Sequence, residues 1–178
     1  MKILKKQKGF TVIEMLVVAS IMVLLLVVTV VNFRGFEKSQ IVETETEKLA
    51  SVLRQAQVWT LVGQTVSETR YNYGVHLEEC TALTSCYYTI FRDIDWDARY
   101  DVGEEVTGRT YTFLTGVYIG TLDPQDSEDL DILFIPPLAN VYFNGLDISE
   151  AQISIVSNLS SNTNTITINQ VSGQIEIE

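Results

Sequence analysis

The sequence predicts an α+β protein in which one long N-terminal helix packs on an antiparallel, mainly β C-terminal domain. Three observations predict it. The first is an apolar stretch long enough to span a membrane, and the second is a following stretch in which apolar residues recur at helical spacing between polar ones. The third is that apolar residues alternate with other residues from Tyr71 onward. The predicted segments are a basic leader at 1–9, a transmembrane helix at 10–31, an amphipathic continuation of that helix at 32–63 and a β-rich globular domain at 64–178.

The first element is the apolar stretch from Phe10 to Val31. Its few polar residues are Thr11, Glu14, Ser20 and Thr29. A helix needs about 20 apolar residues to cross a hydrocarbon core of ~30 Å, so this stretch predicts a membrane span. The residues before it include Lys2, Lys5, Lys6 and Lys8. Positive charge favours the cytoplasmic side, so we expect a single-pass protein of the cytoplasmic membrane whose C-terminal domain is extracytoplasmic.

The junction between the leader and the helix carries a motif, in which Gly9 is followed by Phe10, Thr11 and, three residues later, Glu14. This pattern resembles the class III leader of type IV pilins and type II secretion pseudopilins. The resemblance implies that a prepilin peptidase cuts between Gly9 and Phe10, that the new amine of Phe10 is methylated, and that Glu14 carries a functional carboxylate. An ordinary secretory signal would have a shorter apolar core and a small-residue cleavage site beyond it.

The carboxylate of Glu14 is also unusual on physical grounds. An ionisable group inside a membrane span is costly and is by default a functional residue with a partner. The expected partner is the ammonium at the start of a neighbouring subunit's helix, because opposite charges that meet in a low dielectric favour docking and set the axial register. The alternative is a carboxylate that reaches the interface or is protonated there. With Gly9, Phe10 and Thr11 beside it, we favour a role in assembly.

The helical pattern continues beyond the membrane span. Apolar residues recur at helical spacing between Ile41 and Trp59 with charged residues between them, so one face is expected to be buried. Gly35 is a candidate for a bend, and Gly63 is expected to end the helix. The alternative, a membrane anchor with a coiled-coil stalk, is disfavoured because the apolar pattern is short and strand signals follow it.

The rest of the chain has strand patterns separated by turn signals. The predicted strands are 71–76, 87–92, 110–113, 117–119, 132–135, 152–156, 165–169 and 174–177. Cys80 and Cys86 lie between the first two, and in an exported domain we expect them to form a disulfide that closes a hairpin. His76 is the one histidine of the chain and lies in a strand pattern, so it is expected to be structural or solvated rather than catalytic.

The loop from Asp93 to Glu104 follows the order of ligands in an EF-hand. Positions 1, 3, 5, 9 and 12 are the carboxylates Asp93, Asp95, Asp97, Asp101 and Glu104. Because clustered carboxylates repel one another without a cation, this spacing predicts calcium binding that orders the loop. Position 6 is Ala98 where the EF-hand has glycine, and a strand precedes the loop, so a solvated acidic turn is the alternative. The sequence requires no other cofactor.

The charge of the chain bears on its class. The formal net charge is −11, and without the four leader lysines eight basic residues face 23 acidic ones, which gives −15. Such acidity argues against direct contact with nucleic acid. The sequence has no nucleophile motif, second histidine or Gly-rich phosphate loop, so we do not expect an enzyme.

Later segments also resemble a known group, the minor pseudopilins of the H type and related minor pilins. The segments that carry this resemblance include NYGVHL, ILFIPP and TITINQVSGQIEI. The resemblance implies a pilin-like fold and a structural, minor subunit of a type IV pilus-like filament or a type II secretion pseudopilus. Its implied partners are other pilin or pseudopilin subunits, the prepilin peptidase and an inner-membrane assembly platform. The alternative is a membrane-anchored extracytoplasmic binding module that does not polymerise.

Overall fold

The computed structural model describes residues 9–66, 69–81, 84–124, 129–137, 140–159 and 162–178, with the backbone alone at 30–39 and 66. The four leader lysines lie outside the described residues. The chain divides into two compact units, Met1–Glu37 and Lys38–Glu178. The described part contains the helix α1 (Val12–Val62) and antiparallel strands, so the predicted α+β class is confirmed.

The strands follow the helix along the chain. They are β1 (Thr65–Val66), β2 (Thr69–Arg70), β3 (Asn72–Glu78), β4 (Tyr87–Asp93), β5 (Glu105–Thr112), β6 (Val117–Asp123), β7 (Asp129–Ile135), β8 (Asn140–Phe143), β9 (Glu150–Ser157), β10 (Thr163–Asn169) and β11 (Ile175–Ile177).

The helix ends at its predicted position in a Schellman motif. Gly63 has a φ of 67°, a conformation that glycine adopts without steric cost. Its N–H donates to the carbonyl of Thr60, and the N–H of Gln64 donates to the carbonyl of Trp59. Both bonds satisfy carbonyls that the end of the helix would otherwise leave without a donor. The backbone remains helical through Gly35, the residue that is the candidate for a bend.

The second half of α1 belongs to the larger unit and provides part of its core. Val42, Leu49, Leu53 and Ala56 are fully buried on one face of the helix. They join one apolar cluster with residues of both larger sheets, as the periodicity of the sequence predicted.

Two side chains on α1 also bind the edge of a sheet. Arg54 Nη2 donates to the carbonyl of Ile175 at 3.3 Å, and Gln57 Nε2 donates to the carbonyl of Gly173 at 2.9 Å. They are three residues apart on the helix, and their acceptors are two residues apart on the chain. The helix is therefore bonded to β11 at Ile175 and to the turn before it at Gly173.

The described strands form three antiparallel sheets. β1 and β2 form a two-stranded sheet, a four-stranded sheet has the order β11-β10-β9-β6, and a five-stranded sheet has the order β5-β4-β3-β7-β8. The predicted C-terminal meander is β9-β10-β11. The sequence reasoning missed β1, β2 and β8, and it began β5 at Thr110 although the strand starts at Glu105. These segments are short or polar, so their local signal is weak.

The five-stranded sheet is covered on both faces. On one face, Tyr73 packs its ring 5.5 Å from that of Trp59 on α1. On the other, the Asp93–Glu104 loop places the Tyr100 ring 4.3 Å from that of His76. As a result, six of the seven residues of β3 are buried, and the strand lacks a solvated face.

Cys80 and Cys86 form a disulfide across the connection between β3 and β4. Its sulfur is close to a second sheet, because the N–H of Ile119 on β6 lies 3.3 Å from Cys80 Sγ. Cys80 therefore lies against β6, which is an edge strand of the four-stranded sheet.

Candidate functional site: the start of the helix and the acidic loop

The helix begins with a capping box formed by Thr11 and Glu14. The N–H and Oγ1 of Thr11 each donate to Glu14 Oε2 at 2.8 Å, and the N–H of Glu14 donates to Thr11 Oγ1 at 3.3 Å. This reciprocal arrangement satisfies donors that the first turn leaves unpaired. Glu14 thus has a partner within its own chain, a role that the sequence reasoning missed. The signal was present, since T-x-x-E before an apolar run is the signature of a capping box.

The junction at Gly9 and Phe10 lies just before this cap. Both residues precede α1, and a Cβ built on Gly9 would have no atom within 4 Å. Phe10 is 83% exposed. The peptide bond between them is therefore accessible and outside the helix, as a proteolytic substrate must be.

The first 18 residues of the helix are mostly apolar, and all of them are exposed. Val12–Thr29 has a mean hydropathy of 2.8, and none of it is buried by the rest of the protein. Within the described residues, this is the one helix that is long and apolar enough to cross a membrane. Such a surface is stable in lipid or against other apolar helices, and not in water.

Comparison with protein families gives a match at the same place. The family described as the prokaryotic N-terminal methylation motif matches residues 4–30, which include Gly9, Phe10 and Glu14. The chain carries the prepilin leader of type IV pilins and pseudopilins. Comparison with curated proteins and with solved structures gives no match. A prepilin leader followed by an exposed apolar helix indicates a membrane-anchored, pilin-like protein, and the motif describes a structural family rather than an enzyme class.

The second candidate site is the loop from Asp93 to Glu104. Carboxylate oxygens of Asp93, Asp95 and Asp97 lie within 4.8 Å of one another. Asp101 and Glu104, the other two predicted ligands, are not part of that group. Glu104 instead accepts the N–H of Ile94 at 2.6 Å and that of Asp101 at 3.1 Å, so it fastens the two ends of the loop together.

The backbone of the loop turns where an EF-hand turns. Ala98, at the glycine position, has a φ of 64°, and Trp96 has a φ of 69°. The left-handed region costs a residue with a Cβ roughly 1–2 kcal/mol. One compensating contact is the N–H of Trp96, which donates to Asp93 Oδ1 at 2.7 Å. Alanine therefore makes this turn at the position where an EF-hand has glycine.

Two carboxyl groups of the loop are buried. Burial raises the pKa of Asp93, the backbone N–H groups of Trp96 and Ala98 oppose this, and neighbouring carboxylates add to it. Burial also raises the pKa of Glu104, and the hydrogen bonds that it accepts from backbone N–H groups lower this pKa by less. A cation would relieve this crowding of carboxylates. Calcium binding at the loop stays a prediction.

The histidine is structural. His76 is buried in β3, with Nδ1 2.6 Å from Asp131 Oδ1 and Nε2 3.5 Å from Glu78 Oε1. Its ring is covered by Tyr100 of the acidic loop. His76 was expected to be structural or solvated, and its burial supports the structural role.

Proposed function

We propose that this protein is a structural subunit, and a minor one, of a type IV pilus-like filament or a type II secretion pseudopilus. The observation that carries the proposal is the methylation motif at residues 4–30. The accessible junction at Gly9 and the exposed apolar helix behind it support the same role, since that helix needs lipid before assembly and other helices after it.

In this proposal the precursor is inserted with its leader in the cytoplasm and its larger unit outside. Prepilin peptidase cuts after Gly9, and the new amine of Phe10 is methylated. The inner-membrane platform then passes the subunit to a filament, where the carboxylate of Glu14 pairs with the amine of a neighbouring subunit. An unpaired charge is costly in a low dielectric. The register in which both charges are paired is therefore favoured.

Processing is tested by mass spectrometry of the membrane-bound protein from its native host. We expect an N-terminal peptide that begins with N-methylated Phe10, and Gly9→Val should prevent its formation because the residue before the cut must be small. Recovery of the uncut N-terminus in the presence of the peptidase would contradict the proposal.

Assembly is tested separately, by shearing filaments from the same cells and probing them for the chain. A processed chain that stays in the membrane and never enters filaments would favour the alternative, an anchored binding module that does not polymerise.

A further inference from the structure

A small apolar pocket opens beside the C-terminal end of α1. Its volume is about 200 Å3, and its lining includes Leu61, Tyr71, Trp96 and Pro136. Pockets for drug-sized ligands are roughly 300–1,000 Å3, so this one is suited to a single apolar side chain. It is open to solvent, since Trp96 is 60% and Leu61 46% exposed.

One cation lies at the edge of this pocket. Arg70 belongs to its lining, and a Cβ on Gly63 would lie 3.3 Å from Arg70 Nε. The guanidinium is thus next to the end of the helix, where the dipole favours positive charge. Each of the other cationic side chains that the structure describes has a partner. Those side chains belong to Lys48, Arg54, Arg92, Arg99 and Arg109. Arg70 has none among the described residues, in a protein whose charge is strongly negative.

The aromatic walls of the pocket are held in place. Tyr71 lies under the guanidinium of Arg92, whose Cζ is 5.8 Å from the centre of the ring. Trp96 keeps a left-handed backbone, with its N–H bound to Asp93. Strain of this kind persists only where the surrounding structure imposes it, and it is concentrated at functional positions. An exposed tryptophan and an arginine at the rim of a pocket are also the side chains most enriched among binding hot spots.

We propose that this pocket docks a neighbouring pilin-like subunit, different from this chain, through an apolar side chain that lies beside an aspartate or glutamate. The apolar group fills the space between Leu61, Trp96 and Pro136, and the carboxylate pairs with Arg70. Charge complementarity decides between occupants, because a basic segment would be repelled by Arg70. The inference rests on the proposed function, in which the protein is a minor subunit with other subunits as neighbours.

Photocrosslinking of the full chain in its native host tests the proposal. Val62, which is 75% exposed and lies next to Leu61 without lining the pocket, is replaced by p-benzoylphenylalanine so that the pocket stays open. Cells are irradiated, and the crosslinked peptide is identified by mass spectrometry. We expect a peptide of another pilin-like subunit, joined at an apolar residue within about two positions of an Asp or Glu. The reference position is Val171, which is 69% exposed and lies between β10 and β11.

A pair of matched variants tests the role of the charge. Arg70→Gln and Thr69→Glu each change the net charge by one negative unit, but neighbouring residues of a strand point to opposite faces. Arg70→Gln should lower the yield of the crosslink about five-fold, the loss expected for a partly exposed ion pair, and Thr69→Glu should leave it unchanged. Unchanged thermal unfolding of both variants would show that the fold is intact.

Several results would overturn the inference: a yield no higher than at Val171, a crosslink to lipid, to a basic segment or to a second copy, or a yield that Arg70→Gln does not lower. The filament assay on the same cells keeps the two proposals separate. A chain that enters filaments without the crosslink at position 62 refutes the docking pocket and leaves the proposed function standing. A chain that is never processed or assembled refutes the proposed function itself.

Discussion

His76 and Asp131 form a buried pair on neighbouring strands, with Nδ1 of the imidazole 2.6 Å from Oδ1 of the carboxylate. They lie directly opposite each other in the register of β3 and β7. The second oxygen of Asp131 accepts the N–H of Tyr100 at 3.0 Å. A single carboxylate therefore connects the centre of the sheet to the acidic loop that covers it.

The interaction within this pair predicts how the free energy of unfolding depends on pH. Burial by itself lowers the pKa of His76, but hydrogen bonds and charges from Asp131, Glu78 and Asp129 outweigh it, so the pKa is raised. A raised pKa means that folding favours the charged imidazole. Its contribution to the free energy of unfolding is therefore present below the unfolded pKa of about 6.5 and is lost as the pH rises through the folded value.

An NMR titration of the full chain in detergent measures this pKa directly, because the chain has one histidine. We expect a pKa above 6.5 for His76. In Asp131→Asn we expect a lower pKa, because the carboxylate that counteracts the effect of burial is gone. Equal values in the two proteins would show that Asp131 does not control the charge of His76.

Gly74 should tolerate no larger residue. A Cβ there would lie 2.5 Å from the ring of Phe91 and 2.6 Å from the carbonyl oxygen of Ile132. We expect Gly74→Ala to lower the free energy of unfolding by about 3 kcal/mol, the upper range for overpacking a core. Denaturant unfolding of the full chain in detergent measures the loss.

Gly108 provides the control for this prediction. It has a φ of 75° and no atom within 4 Å of an added Cβ, so Gly108→Ala tests backbone strain without a clash. Its cost should be about 1–2 kcal/mol. Adding Phe91→Leu to Gly74→Ala should recover part of the loss, and no recovery would mean that the ring is not the obstacle.

The capping box separates two roles of Glu14. Thr11→Ala removes the hydroxyl of the capping box and keeps the carboxylate, whereas Glu14→Ala removes the carboxylate and keeps the bond from the N–H of residue 14 to Thr11 Oγ1. If Glu14 acts in assembly, Glu14→Ala should insert and fold yet enter filaments poorly, and Thr11→Ala should enter them at near-normal levels. Quantitative blotting of sheared filaments against membrane-bound chain measures the difference. Equal defects in the two variants would reduce Glu14 to a helix cap.

The acidic loop should bind calcium if its carboxylates act together. Asp93→Asn retains an oxygen that can accept the N–H of Trp96 but removes one charge from the group of three aspartates. We expect calorimetry at millimolar calcium to give heat with the full chain in detergent and much less with Asp93→Asn.

Glu47→Gln, on the exposed face of α1, changes the net charge equally and should bind normally. Binding should weaken as the pH falls through the raised pKa values of Asp93 and Glu104, because protons then compete with calcium. No heat from the unaltered chain would leave the loop as an acidic turn.

The sequence predicted the features that local chemistry determines. The helix end at Gly63, the strand from Tyr87 and the class of the fold follow from turn residues and from the period of the apolar pattern. The burial of His76 was not predictable, because it depends on Tyr100 and Asp131, which come from distant parts of the chain.

The same limit applies to the candidate sites. The motif around Gly9 is contiguous, so it could be found by inspection of the sequence. The pocket beside Arg70 is assembled from the helix end, β2, the acidic loop and the residues after β7, and no local pattern indicates it. The left-handed backbone of Ala98 contradicts its own propensity and is imposed by the loop around it.

The attachment of Arg54 and Gln57 to the C-terminal strand has a mechanical consequence. A force that pulls α1 along its axis acts on two hydrogen bonds to the segment that contains Gly173 and Ile175, and on the apolar contacts beneath them. Ile175 lies in β11 and Gly173 in the turn before it, so the load divides between two neighbouring points of one segment. β11 and the turn before it thus resist the sliding of the helix over the sheet under tension.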